Sequence, residues 1–518
     1  MERNFWKEHL AAYGLLSVLF VVVYVYVFDS KLDMNGDNYG YLNYARSILE
    51  GKGYVSPYTP DLPATNWFPP GYSTLLAGLM ALFGSNVVLF KIFNGLLYAA
   101  SVFLLYAVMH RITKQKAFAL TVAILLLLNS GLLRYASIIM SEIPYLFFSM
   151  LSVFAFVYWK PENESGVGFK QLITTPRFWV LLLSATAAFY FRTIGAALLI
   201  SYVLYWLFHK AWKPVVAFVS GVGLLYLPWM LRNSAHGLKS RYLDTITVAN
   251  NWRPEEGHIQ TVGGFIEKFW TNFQDTVLSG FVEVLFPYAT IETPVILVGL
   301  LVFALILWGA WKTGKVGLFM VLYVLGNVGV FLLWHGGNGA RYVWPLAPFL
   351  AFFFFNGVYQ LWLMVVRSKS QKWVHSAVYV FLLLAFASFS SLEKEHMTAN
   401  QPQHPAYRNY FQIAETLKKH ADPSVMVICR KAEMFHYYSG TFTSMYVFDL
   451  DPKAVLRHMV QMNAQFVVLE QLGYGSTPRY LYPAIQAYPE LFKMAVHLPN
   501  PDTYLFAFDL ETARTMFH

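Results

Sequence analysis

Runs of 14–23 apolar residues, parted by short polar segments, dominate the chain from residue 10 to residue 391. They lie at 10–28, 87–109, 117–133, 143–159, 178–191, 194–208, 214–231, 294–311, 316–334, 343–365 and 373–391. A helix needs about 20 such residues to cross the hydrocarbon core of a bilayer, so the pattern predicts an α-helical polytopic membrane protein with about eleven transmembrane helices. The first run follows Arg3 and Lys7 and shows no small-residue cleavage site, which reads as a retained anchor rather than a removed signal peptide. Residues 69–84 are apolar but short, and about 15 residues rise only ~22 Å in a helix. They are expected to lie at the membrane surface. The polar break at Arg192-Thr193 predicts a tight helix pair over 178–208 instead of one long helix.

Charge tests that arrangement. Cytoplasmic loops of membrane proteins collect Lys and Arg. With the amino terminus inside, fifteen basic residues fall in the short inner segments: Arg3, Lys7, Arg111, Lys114, Lys116, Lys160, Lys170, Arg177, Lys210, Lys213, Lys312, Lys315, Arg367, Lys369 and Lys372. Adding or removing one span would place every later cluster on the other side. The longer outer segments are then 29–86, 232–293 and the tail from 392, so the carboxyl terminus is expected outside. Residues 1–391 read as a membrane domain and 392–518 as an extracytoplasmic α/β domain. In the tail, strand-like runs at 425–429, 444–448, 466–470 and 503–508 alternate with helical stretches near 452–463 and 480–488.

Composition narrows the class. The chain is 57% hydrophobic and 13% charged, against roughly 25% charged in a soluble protein, which excludes an ordinary soluble enzyme and intrinsic disorder. The net charge of +9 is accounted for by the inner loops and does not call for nucleic acid. One cysteine, Cys429, excludes an intramolecular disulfide and a cysteine-rich metal site.

The polar residues with chemical potential gather at the outer ends of the spans. Asp37 opens a short amphipathic stretch in Asp33-Met34-Asn35-Gly36-Asp37-Asn38-Tyr39, where a carboxylate is either a helix cap or a base that takes a proton from an attacking hydroxyl. Glu142, in Ser141-Glu142-Ile143-Pro144, is either a dipole-favoured helix start or, at that depth, a functional acid. The two could share a divalent cation, but two residues are too few to name a metal. Arg134, Arg192, Arg232 and Arg341 stand at outer span ends. One is unremarkable, whereas several opposite a carboxylate suit the bidentate grip of a phosphate. Arg341 precedes Tyr342 and follows a Gly-rich turn, 335–340, in which His335 is either a proton carrier or a loop residue.

Together these features resemble the GT-C class of glycosyltransferases that use polyprenyl-phosphate-linked sugars, in the branch holding protein O-mannosyltransferases and the lipid A aminoarabinose transferase. The resemblance covers roughly residues 10–365. It is carried by Asp37–Tyr39, by Pro-Pro-Gly-Tyr at 69–72, by Ser-Glu-Ile-Pro at 141–144, by Pro-Trp-x-x-Arg-Asn at 228–233 and by Arg341-Tyr342. It implies a bacterial inner-membrane enzyme with a periplasmic site that moves a sugar, with inversion, from a polyprenyl-phosphate donor to a hydroxyl on a lipid, glycan or protein. It implies Asp37 and Glu142 as catalytic acids, and Arg232, Arg341, Tyr342, Arg192 and Arg134 as donor-phosphate contacts. Asn38, Tyr39, Tyr72 and His335 become substrate contacts. Two departures stand out: Asn38 replaces a second adjacent acid, and Phe68 stands where some branches carry a lysine before the prolines. Two rival classes use similar features. A lipid or oligosaccharide transporter would show repeated halves or midplane charges, which this chain does not show, whereas a phospho- or acyltransferase on membrane lipids could use the same carboxylates and arginines.

Overall fold

The computed structural model describes residues 2–34, 36–159, 166, 168–240, 242–250, 252–288, 296–334, 339–366 and 371–517. Helices occupy each of the eleven apolar runs. Among the described residues, five helices are long and apolar enough to cross a membrane: His9–Val27, Val87–Thr113, Glu142–Trp159, Trp212–Ala235 and Ala340–Val365. The run at 117–133 is a bent pair rather than a straight span. Lys116–Leu127 and Ser130–Ala136 meet at 61°. Asn129 ends the first helix and starts the second, because its side chain accepts from the Leu132 amide at 3.0 Å and donates to the Val284 carbonyl at 2.8 Å. Such a cap satisfies an amide that the helix start leaves unpaired.

The tight pair at 178–208 is present. Pro176–Phe191 ends at Arg192, which is extended (φ −147°, ψ 132°), and a 3-10 turn at Thr193–Gly195 leads into Ala196–Phe208. The two helices run antiparallel: Phe178, near the start of the first, and Trp206, near the end of the second, both pack on Trp159, with ring centroids 5.7 and 6.2 Å away. Arg192 is thereby held at the opposite end. Pro70–Phe83 forms the short helix expected there, and it seats directly on this break. A Cβ on Gly71 would stand 2.7 Å from the Tyr190 carbonyl oxygen, so only glycine permits that approach.

The long helix Gln371–Asn400 passes through residue 391 without interruption, and the sheet-bearing part follows from the helix Pro405–His420. Five strands, β1 (Met426–Ile428), β2 (Phe442–Ser444), β3 (Ala464–Leu469), β4 (Phe492–Leu498) and β5 (Thr503–Phe508), form one sheet in the order β2-β1-β3-β5-β4. β1 pairs parallel with β2 and β3, and β5 pairs antiparallel with β3 and β4. The apolar run at 444–448 is not a strand. Pairing with β1 ends at Ser444, and the Met445 carbonyl turns to the His458 ring at 3.0 Å. The sequence pattern also misses β4. It is an edge strand whose side chains are mostly exposed, so it lacks the alternation that marks a half-buried one.

This C-terminal part docks on the first loop. The Tyr39 ring is buried among Tyr437, Tyr438 and the apolar side chains of the helices at 405–420 and 432–439. The Asn43 amide donates to the Glu433 carbonyl at 2.9 Å, and the Arg46 guanidinium lies over the Tyr437 ring at 4.3 Å. The end of Gln371–Asn400 joins the same face, where the His396 ring stacks on Tyr26 at 4.0 Å.

Candidate active site

Four separate stretches of sequence meet at this face. Gly36 turns the chain so that Asp37 becomes the first residue of the helix Asp37–Leu49. Glu142 likewise opens Glu142–Trp159, whose start is fixed by Pro144 in the first turn, where a missing amide hydrogen costs nothing. Arg192 occupies the break of the helix pair. Arg341 sits in a 3-10 turn, Gly339–Tyr342, that leads through a second turn into Ala347–Val366.

Their side chains form one ion-pair chain. The Arg341 Nη2 donates to Asp37 Oδ2 at 2.5 Å and its Nε to Glu142 Oε1 at 3.3 Å. The Arg192 Nη1 reaches the same Glu142 oxygen at 2.8 Å. Glu142 is 1% exposed, Arg192 16%, Arg341 27% and Asp37 36%, so the chain runs from a buried anion to a carboxylate open to solvent. Glu142 thus braces two guanidinium groups through one oxygen. Its other oxygen, Oε2, is buried with no hydrogen-bond partner among the described residues. A buried carboxylate is tolerable here because two cations flank it.

Two residues that the sequence did not single out complete the wall. Tyr41 lies one helical turn after Asp37, on the same face. Its hydroxyl is 3.0 Å from Ser141 Oγ, which also accepts from Arg192 Nη1 at 3.2 Å. The i, i+4 spacing of Asp37 and Tyr41 was a readable signal, whereas the role of Ser141 was not. Phe68 packs on Tyr41 as a tilted pair, with centroids 4.5 Å apart.

The other sequence candidates are placed differently. Arg232 gives its guanidinium to the first loop, donating to the carbonyls of Thr65 (2.7 Å) and Tyr54 and to Asn233 Oδ1 (2.9 Å), with the Trp229 ring 4.8 Å away. Arg134 is exposed on Ser130–Ala136, within electrostatic range of Glu395. The Tyr342 ring stacks on Phe331 at 5.6 Å. Tyr72 is buried behind Tyr41 and accepts from the Asn94 amide at 2.9 Å. Asn38 is buried and closes the turn before the helix, donating to the Asp33 carbonyl and accepting from the Gly36 amide. Tyr39 faces Tyr438, hydroxyl to hydroxyl at 3.3 Å. His335 lies outside the described residues. Among the described residues, no three His, Cys, Asp or Glu side chains come together. The two carboxylates at the site are joined through Arg341, so a divalent cation between them would have to displace that guanidinium.

Several solved structures share this fold. ArnT from Cupriavidus metallidurans bound to undecaprenyl phosphate superposes with a TM-score of 0.59 at 13% identity, covering 95% of this chain and 97% of that one. The archaeal oligosaccharyltransferase AglB from Archaeoglobus fulgidus, in complex with an inhibitory peptide and a dolichol-phosphate, superposes at 0.57 with 10% identity, over 97% of this chain and 75% of that one. ArnT in the apo state gives 0.57 at 12% identity, over 98% of each chain. At the level of sequence, residues 66–236 match the family described as dolichyl-phosphate-mannose-protein mannosyltransferase. No curated protein matches in sequence.

Proposed function

We propose that this chain is a membrane glycosyltransferase that moves a sugar from a polyprenyl-phosphate-linked donor to an acceptor hydroxyl, with inversion at the anomeric carbon. The observation that carries the reading is the convergence of Asp37, Glu142, Arg192 and Arg341 at one end of the helical bundle. The fold shared with ArnT and AglB and the match of residues 66–236 to a mannosyltransferase family support it. In this reading Asp37, the most exposed member of the cluster, takes the proton of the acceptor hydroxyl. That oxygen attacks the anomeric carbon from the face opposite the phosphate, the bond from carbon to phosphate oxygen breaks, and the lipid leaves as a phosphate. Arg341 and Arg192 offset the charge that develops on the leaving oxygen. Glu142 holds both guanidinium groups in place, so it acts through them.

The face bearing the site is read as extracytoplasmic, with the amino terminus cytoplasmic and the setting a bacterial inner membrane. The positive charge of the short loops at the opposite end supports that orientation. Outside the cytoplasm no nucleotide sugar is at hand, which gives a lipid-linked donor its chemical reason. We read residues 1–391 as the catalytic membrane part and 392–518 as an outer part. The continuous helix Gln371–Asn400 carries the chain from the one part into the other. No step is routed through a metal ion. The transporter and the phospho- or acyltransferase readings are less favoured, because the fold matches glycosyltransferases. Purified protein in lipid nanodiscs, given a radiolabelled polyprenyl-phosphate sugar and envelope acceptors, should release polyprenyl phosphate and label an acceptor. Vectorial movement of intact donor without bond cleavage, or transfer of phosphate in place of sugar, would replace this reading with one of its rivals.

A further inference from the structure

Three of the helices long enough to cross a membrane, His9–Val27, Val87–Thr113 and Glu142–Trp159, line a groove of about 470 Å³. Its lining is apolar. Ala100, Leu104 and Ala107 contribute one stripe of Val87–Thr113 at helical spacing, and Leu151 and Phe154 line it from Glu142–Trp159. Tyr13 lines it from the first helix, its ring 5.6 Å from Phe103. The two alanines leave the space between larger neighbours. Glu142 opens its helix in the ion-pair chain, and Lys91, near the start of Val87–Thr113, donates to the Asp29 carbonyl of the first loop at 2.8 Å. The groove therefore lies toward the opposite end of the bundle from the ion pairs.

Continued by one turn, the same two stripes carry a cation. Arg111 stands four residues after Ala107, and Tyr158 four after Phe154. The Arg111 guanidinium lies 5.7 Å from the Tyr158 ring, whose hydroxyl donates to the Ala107 carbonyl at 3.3 Å. Arg111 is exposed, and among the described residues no carboxylate pairs with it. The sequence holds no acid between Asp61 and Glu142, and Lys114, also exposed, adds to the positive charge. The stretch from Ala100 to Arg111 rises about 16 Å, close to half of the ~30 Å hydrocarbon core. That is the reach of a lipid occupying one leaflet. We propose that this groove binds an anionic glycerophospholipid of the leaflet away from the ion-pair chain, with one acyl chain in the groove and the phosphate at Arg111. The Tyr158 ring attracts the guanidinium, and a phosphate can accept from two of its N–H groups at once. A zwitterionic headgroup brings its own cation beside the phosphate, which offsets that gain. The polyprenyl phosphate of a donor is the wrong occupant, because its phosphate has to reach Arg192 and Arg341 at the far end of the same helices. The inference stands apart from the glycosyltransferase reading.

The test uses full-length protein in phosphatidylcholine nanodiscs that hold a trace of phosphatidylglycerol with a photoreactive diazirine on one acyl chain. Crosslinks are mapped by mass spectrometry after illumination. They should fall on the segments around Tyr13, Leu104 and Leu151, and unlabelled phosphatidylglycerol should displace the probe. A phosphatidylcholine probe with the same diazirine should label these segments about fivefold less, and Arg111→Gln should lower labelling by phosphatidylglycerol by about the same factor. Arg111 is exposed, so this variant keeps its fold. Ala100→Phe fills the groove while leaving Arg111 in place, and it should remove the label from the same segments. Equal labelling by the two probes, or labelling that either variant leaves unchanged, overturns the proposal. Displacement by undecaprenyl phosphate and not by phosphatidylglycerol also overturns it, and would make the groove a seat for the donor's tail. Labelling needs no sugar transfer, so absence of transferase activity would sink the functional reading alone.

Discussion

Arg341 and Arg232 are alike in kind and in position, each close to the end of an apolar helix, but the structure holds them by opposite means. Arg341 is held by carboxylates, Asp37 and Glu142. Arg232 is held by backbone carbonyls of the first loop at Thr65 and Tyr54 and flanked by Trp229. A carboxylate partner can be exchanged for a phosphate, because both are anions of matching fork geometry. Backbone carbonyls cannot be released without undoing the loop they belong to. The contrast teaches that the partner, and not the residue type, separates a ligand-ready arginine from a structural one.

The largest effect that would break or sharpen this contrast is expected at Asp37. Asp37→Asn keeps the side chain's size and removes the base, so sugar transfer should fall by roughly 10²–10⁴-fold with thermal stability retained. Near wild-type turnover would leave Asp37 as a partner of Arg341 and nothing more. Glu142→Gln comes next. It leaves Arg192 and Arg341 facing a neutral amide in a buried place, and breaking a buried pair from one side costs about 3–5 kcal/mol. A marked fall in Tm should therefore accompany the loss of activity, and an unchanged Tm would show that Glu142 does not brace the cluster.

The two arginines themselves give the direct comparison. Arg341→Lys retains charge but loses the fork, so affinity for undecaprenyl phosphate should drop about tenfold, near 1.4 kcal/mol, with little change in melting. Arg232→Lys should do the reverse, leaving lipid affinity alone while costing about 1–3 kcal/mol of stability through lost charged hydrogen bonds. Equal losses of lipid affinity in both would erase the distinction. The smallest effect is expected where an arginine and a carboxylate pair in the open. Arg457→Ala removes a bond to Asp451 at 3.2 Å, with both side chains about half exposed. Exposed pairs contribute little, and a measured cost above about 1 kcal/mol would show that pairing alone, without burial, matters in this protein.

Much of this arrangement was written in the order of the residues. Apolar run length and loop charge determined the helical bundle, and the polar break at Arg192 determined a helix pair, because a helix in lipid must satisfy its backbone within itself and leaves little choice of structure. The same pattern set Asp37, Glu142, Arg192 and Arg341 at one end of the bundle. Short-range signals also located β1, β3 and β5, failing at β2, where the apolar run lies just past the strand, and at β4, whose exposed face removes the alternation. Only the tertiary structure decided which of the like arginines meets a carboxylate, that Phe68 packs on Tyr41, and that Tyr437 and Tyr438 reach Tyr39 from nearly four hundred residues away. Side-chain partners are set by how separately folded elements come to rest against one another. A linear pattern fixes which end of a helix a residue occupies, but it holds no information on the direction from which its neighbour arrives.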